Sequence, residues 1–177
     1  NFPVSTGVFQ NSFGGGGSLY SLIGGAGGDA FIIKMSSSGN RIWATYYGGS
    51  GTDDGLSLVC DGSNNIYLLG DVTSSGLSTA GAHQTAFGGV RDALLAKFNS
   101  SGGRQWATYY GGTSDDSAGG IDCDAAGTVY IGGLTQSSGG ISTAGVHQIA
   151  LSGNMDMYIA KFNNSGTRQW GTYYGGN

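Results

Sequence analysis

Glutamate is absent from this sequence. All 11 acidic residues are aspartate, only 7 lysines and arginines stand against them, and 10% of the 177 residues are charged. The formal net charge of −4 argues against a nucleic-acid backbone as partner, because binding by counterion release needs clustered lysine and arginine. Long apolar runs are missing too. Nothing approaches the roughly 18 residues of a spanning helix, so no membrane insertion is expected. There is one proline, and no signal peptide is visible. A chain that opens on Asn1 reads as a mature or excised piece. No Gly-x-Ser-x-Gly elbow and no His-Glu-x-x-His pair occurs, and the glycine-rich stretches 14–17 and 24–28 carry no Lys-Ser or Lys-Thr. A non-enzymatic chain without a required cofactor is the expectation.

Glycine, in contrast, is abundant at 37 residues, with no triplet period. It falls between apolar runs and reads as turn punctuation. Tyrosine and threonine are plentiful and helical periodicity is lacking, which favours an all-β protein.

The sequence repeats. Trp43-Ala44-Thr45-Tyr46-Tyr47-Gly48-Gly49 recurs unchanged from Trp106 and, with one difference, from Trp170. A period of 63 and then 64 residues implies a repeat architecture. Before each copy lies a short apolar run of strand length, 29–35, 92–98 and 156–162, which fits strands buried on both faces. A Ser/Asn/Gly turn joins each run to its Trp strand. In the Trp strand, Trp43, Thr45 and Tyr47 share one face. After the glycine pair come an acidic loop, a strand ending at Cys60 or Cys123, a tight turn, and a strand over 66–70 or 129–133. A long loop then leads to the next copy; Gly7, Gly81 and Gly145 align in it, as do Gln10, Gln84 and Gln148. Phe13, Phe87 and Leu151 are expected to plug it inward. The first copy carries 11 extra residues within 14–28.

Four short antiparallel strands per repeat make the pattern of a β-propeller blade. The segments are a partial blade over 1–49 and complete blades over 50–112 and 113–177. About two and a half blades are fewer than the 4 or so that close a ring, which points to part of a larger propeller. Copies of a short chain completing a ring by self-assembly are the second reading.

The ordered set Asp-Ala, Ala-Lys-Phe, Ser-Gly, Trp-Ala-Thr-Tyr-Tyr-Gly-Gly, Asp-Asp, Val-Tyr-Ile-Gly-Gly and Thr-Ala-Gly-x-His-Gln resembles the bacterial β-propeller repeat family known as SBBP, of seven-bladed type. The resemblance covers nearly the whole chain. It implies a propeller within a large secreted or cell-surface bacterial protein, acting in adhesion or assembly, with further blades as partners. It supplies no catalytic residues.

Candidate sites are few. The acidic pairs Asp53-Asp54 and Asp115-Asp116, taken as equivalent, could hold Ca²⁺ or a ligand, although the distal glutamate of the usual calcium loop is missing and aspartate readily caps turn N–H groups. Tyr20, in the insertion, could stack on a sugar. With the acidic loops it would make a carbohydrate-binding propeller; an enzyme with its active site on other blades is a third reading. His83 and His147 recur at one position, but Phe9 fills it in the first copy, which favours packing over metal ligation. Asp29, Asp92 and Asp156 are expected to cap turns. Lys34, Lys97 and Lys161, with Arg41, Arg104 and Arg168, read as charges encoded by the repeat. Cys60 and Cys123 are expected to be small buried residues on equivalent strands, with a disulfide between neighbouring repeats as the alternative.

Overall fold

The computed structural model describes residues 3–15 and 28–176. Every regular element among them is a β-strand: β1 Ala30–Met35, β2 Arg41–Tyr47, β3 Asp53–Cys60, β4 Ile66–Val72, β5 Asp92–Phe98, β6 Arg104–Tyr110, β7 Asp116–Cys123, β8 Val129–Thr135, β9 Asp156–Phe162 and β10 Arg168–Tyr174. They form three antiparallel sheets. The first is β1-β2, the second β3-β4-β5-β6 and the third β7-β8-β9-β10. In both four-stranded sheets strand order follows chain order, so each is a meander. The long loop connects the second strand to the third.

The sheets pack face to face, and strand alternation builds two cores. On β4 and β5 the odd and even positions face opposite ways. Ile66, Leu68, Val72, Leu94, Ala96 and Phe98 meet Ile32, Trp43 and Tyr47 of the first sheet. Tyr67, Leu69, Ala93 and Leu95 meet Val129, Ile131, Tyr158 and Phe162 of the third. β5 is therefore buried at every residue. The equivalent strands β1 and β9 are not: they alternate between buried and exposed. Among the described residues, burial of this strand on both faces thus holds in the middle sheet alone, where a sheet lies on each side.

The outer edges of the sheets are covered by their own long loops. Thr79 N–H donates to Ala107 O at 2.9 Å and Tyr109 N–H to Gln84 O at 3.2 Å along β6. Loop residues 5–10 cover β2, and 143–148 cover β10, by the same pair of bonds. A covered edge is closed to stray strand pairing. The plugs sit as expected: Phe13 lies 6.0 Å from the Tyr46 ring and Phe87 5.9 Å from the Tyr109 ring, while Leu151 packs on the core between the second and third sheets.

The cysteines depart from expectation. Cys60 is exposed and Cys123 half-buried, and both are free thiols. Cys123 packs on the core between the second and third sheets. Cys60, at the same place on β3, faces the first sheet, which has only two described strands, so little lies opposite it.

Candidate functional site

The most elaborate constellation in the molecule is the junction between successive sheets, and it occurs twice. Lys34 lies directly across from Trp43 in the regular register of β1 and β2, and Lys97 across from Trp106 in that of β5 and β6; a bulge follows each pair on the turn side. Directly paired residues project to the same face, here toward the next sheet. The Trp43 indole donates to Ser100 O at 3.1 Å, and Lys34 Nζ donates to the same carbonyl at 2.8 Å. The ring lies on Gly102, where a Cβ would stand 3.1 Å from it. The φ of +87° at Gly102 itself favours glycine.

At the other end of the junction, Tyr47 Oη donates to Leu77 O at 2.7 Å, and Arg104 donates to that oxygen at 2.8 Å. The Arg104 guanidinium lies 4.2 Å from the centre of the Phe9 ring, which packs 5.5 Å from Tyr47. Burial pushes the Tyr47 phenol up to about 12.

The second junction repeats the first. Trp106 lies on Gly166 and donates to Asn164 O at 3.0 Å, and Lys97 Nζ donates to the same oxygen at 3.3 Å. Tyr110 Oη donates to Ile141 O at 2.7 Å and Arg168 to the same oxygen at 3.1 Å. His83 takes the place of Phe9, 6.1 Å from Tyr110 and 6.0 Å from Phe162. Burial, and then the nearby Arg168 charge, push its imidazole down to about 4. It is a neutral packing ring at neutral pH. Lys34, Lys97, Arg104 and Arg168 thus serve the junctions between sheets and do not form a basic patch.

A second repeated device locks each loop to its own sheet. Gln84 Nε2 donates to Asp92 Oδ2 at 3.0 Å and to Ala86 O at 3.1 Å, while its Oε1 accepts from Gly111 N–H at 3.1 Å. Asp92 Oδ2 also accepts from Gly88 N–H at 2.9 Å. Gln10 with Asp29, and Gln148 with Asp156, make the same set. The aspartates cap turns as expected. The glutamines, which the sequence offered only as an alignment, are their partners. Asp92 Oδ1 is buried without a hydrogen-bond partner. Burial pushes this carboxyl up to about 6, with Asp116 adding to the rise. A Cβ on Gly111 would meet Asp92 Oδ1 at 2.6 Å and Asp116 Oδ2 at 2.8 Å. The first glycine after each Trp strand, Gly48, Gly111 or Gly175, is therefore demanded by close approach of its aspartate.

The acidic pairs need correction. Asp53, Asp54 and Asp116 belong to strands β3 and β7, not to a loop, and the pairs are out of step by one residue. Asp53 corresponds to Asp116. Both are fully buried. Asp53 Oδ2 accepts from Gly49 N–H and Ser74 Oγ at 2.7 and 2.6 Å, and Oδ1 from Thr73 and Ser74 N–H at 3.3 Å. Asp116 accepts from Gly112 N–H and Ser137 Oγ at 2.6 and 2.7 Å, and from Thr135 Oγ1. Their oxygens serve the protein's own donors. Asp54 is exposed, whereas Asp115 is bound bidentately by Arg91, at 2.7 and 3.0 Å, and Arg91 also reaches Asp71 at 3.2 Å. Leu134 and Met155 stand where the next repeat would place Asp71 and Arg91, so this ion cluster is not part of the repeat. Among the described residues no group of three His, Cys, Asp or Glu could hold a metal ion. Tyr20 lies outside the described residues.

No family model matches the chain. Over 145 residues it is 24% identical to Regulatory protein FlaEY of Caulobacter vibrioides, a match covering 80% of this chain and 15% of that protein. The chain thus resembles a small part of a much longer regulatory protein.

Proposed function

We propose that the chain is a non-catalytic interaction module: consecutive blades of a β-propeller of the bacterial SBBP repeat type, carried on a large secreted or cell-surface protein as an adhesion or assembly scaffold. The junction carries this reading. Each copy joins one sheet to the next in the same sense, the Trp, Lys and Tyr of one sheet meeting the turn and Arg of the following one. A contact between unlike faces propagates from unit to unit, or closes a ring. The inner strands favour a ring. β7 packs on β3, and the two inner turns touch through Gly62 N–H to Ala125 O at 3.1 Å.

The non-catalytic reading is supported by the use made of titratable groups. Asp29, Asp53, Asp92, Asp116 and Asp156 hold turns and loops, and His83 packs between rings. The likeness to a stretch of a much longer regulatory protein is in keeping with a unit built into larger polypeptides. The carbohydrate-binding alternative draws no support from Asp53 and Asp116, whose oxygens are occupied.

Paired spin labels test the propeller arrangement. In a background of Cys60→Ser and Cys123→Ser, one pair goes on the inner turns, Ser63→Cys with Ala126→Cys. A second goes on the outer strands, Gln105→Cys with Gln169→Cys. Blades fanning about an axis give an outer distance clearly longer than the inner one. Equal distances would mean a flat stack and would sink the propeller.

A further inference from the structure

We propose that this chain binds a second copy of itself head to tail, the exposed face of the third sheet receiving the exposed face of the first. The inference rests on the repeated-junction reading above and names the occupant of the two open faces. Each of those faces holds one half of a junction, and the halves differ.

The tail half is on the third sheet. Trp170 and Lys161 pair across β10 and β9 as Trp43 and Lys34 do across β2 and β1. No carbonyl faces the Trp170 indole N–H among the described residues; its neighbour is the Tyr130 ring at 6.3 Å. Lys161 Nζ sits 5.5 Å from that ring. Tyr174, equivalent to the buried Tyr47 and Tyr110, is 58% exposed. His147 packs 5.6 Å from Tyr174, as Phe9 and His83 pack on their own tyrosines. Around these groups Leu134, Met157 and Ile159 are exposed. At the place of Ile159, the second sheet has the fully buried Leu95.

The head half is on the first sheet. Gly39 has the φ of +79° that Gly102 and Gly166 share in kind, but nothing lies within 4 Å of where its Cβ would stand. The other two glycines have an indole there. Arg41, equivalent to Arg104 and Arg168, donates to Pro3 O, which stands where Leu77 and Ile141 stand. Internally that carbonyl also accepts a tyrosine hydroxyl from the preceding sheet. Ile33 and Met35, at the places of Ala96 and Phe98, are exposed.

The two halves complement each other group for group. Trp170 fits Gly39 and the turn carbonyl before it, and Tyr174 fits Pro3 O beside Arg41. Met157 and Ile159 fit against Ile33 and Met35. All of these groups come from the outer two strands and the loop of a repeat. The two-stranded first sheet has those parts among the described residues, without the inner pair of strands that the other two sheets add. An unlike-face contact of this kind leaves a head and a tail free after each addition, so it continues as an open series unless a ring closes.

Light scattering across a concentration series of the 177-residue chain reads this directly. Wild type is expected to rise above its monomer mass of 17.9 kDa as concentration increases. Trp170→Ala disables the tail and Arg41→Glu the head, and each alone should weaken association about 30-fold or more, as central Trp and Arg contacts do. Met35→Glu, which leaves Arg41 in place, should match Arg41→Glu. The decisive sample mixes Trp170→Ala with Arg41→Glu. One retains a head and the other a tail, so the mixture should give a one-to-one dimer that grows no further. Formation of that dimer also shows that both variants fold. A wild type that stays monomeric at every concentration overturns the proposal, as does a mixture that fails to pair or association that survives both substitutions. A monomer whose spin-label distances still fan outward would remove self-pairing and leave the propeller reading standing.

Discussion

At the scale of single residues, two titratable groups, the buried Asp92 and the half-buried His83, pull against each other. Asp92 sits near 6 in the folded chain against an ordinary 3.8. The folded state therefore holds a proton there that the unfolded chain has released. Stability from this group is fully present below about pH 4 and is lost as pH rises through about 6. His83 sits near 4 against an ordinary 6.5. Here the unfolded chain binds the proton first, so stability is lost as pH falls from about 6.5 to 4. Over that window the two slopes offset. Asp92→Asn should raise stability at pH 7 by on the order of 1–2 kcal/mol and unmask a steep loss on acidification. His83→Phe, which copies Phe9 of the first repeat, should remove that loss. Urea midpoints at pH 4.5 and 7 for the two variants and their double would show it. A wild-type pH slope retained in both single variants would mean other groups govern it.

At the scale of elements, the hairpin turns carry the junctions. Gly39, Gly102 and Gly166 have similar positive φ, so alanine at any of them meets the same backbone cost of about 1 kcal/mol. Only Gly102 and Gly166 lie under an indole, at 3.1 and 2.7 Å. Gly166→Ala should thus cost about 1–3 kcal/mol more than Gly39→Ala, with Gly102→Ala between them. Equal losses in denaturant melts would show that the ring contact contributes nothing. These elements were legible to different degrees. The strands, the order of the meander, the plugs Phe13, Phe87 and Leu151, and the exchange of Phe9 for His83 follow from apolar runs repeated in register. The start of β3 was not legible because Asp53 and Asp54 read as loop. In the fold, a buried aspartate tied by Ser74 and Gly49 opens the strand. The junction was missed for a different reason. Trp43 meets Ser100 and Gly102 across 57 and 59 residues, and no local pattern encodes a contact made by the following repeat. The signal available was joint recurrence: Trp, Gly and Arg keep one spacing in all three copies.

For the whole molecule, position in the stack should set what each equivalent residue contributes. Leu95 and Ile159 occupy the same place in successive repeats. The first is 0% exposed between two sheets, and the second 39% exposed on the last. A branched aliphatic side chain deleted from a closed core loses its transfer energy and leaves a cavity, about 2–5 kcal/mol. One already half in water loses only part of the transfer energy and leaves no cavity. Leu95→Ala should therefore cost at least about 2 kcal/mol more than Ile159→Ala in dilute solution. Amide exchange should grade the same way, slowest in β5, which is paired on both edges and covered on both faces, and faster in β1 and β10. The comparison also bears on how the open faces behave. Any contact that covers the third sheet makes Ile159 resemble Leu95, so the gap between the two variants should narrow as the last sheet gains a neighbour. A gap that is absent in the dilute monomer would mean the sheets are stable singly. The stacking that explains the buried middle strand would then contribute little to holding the chain folded.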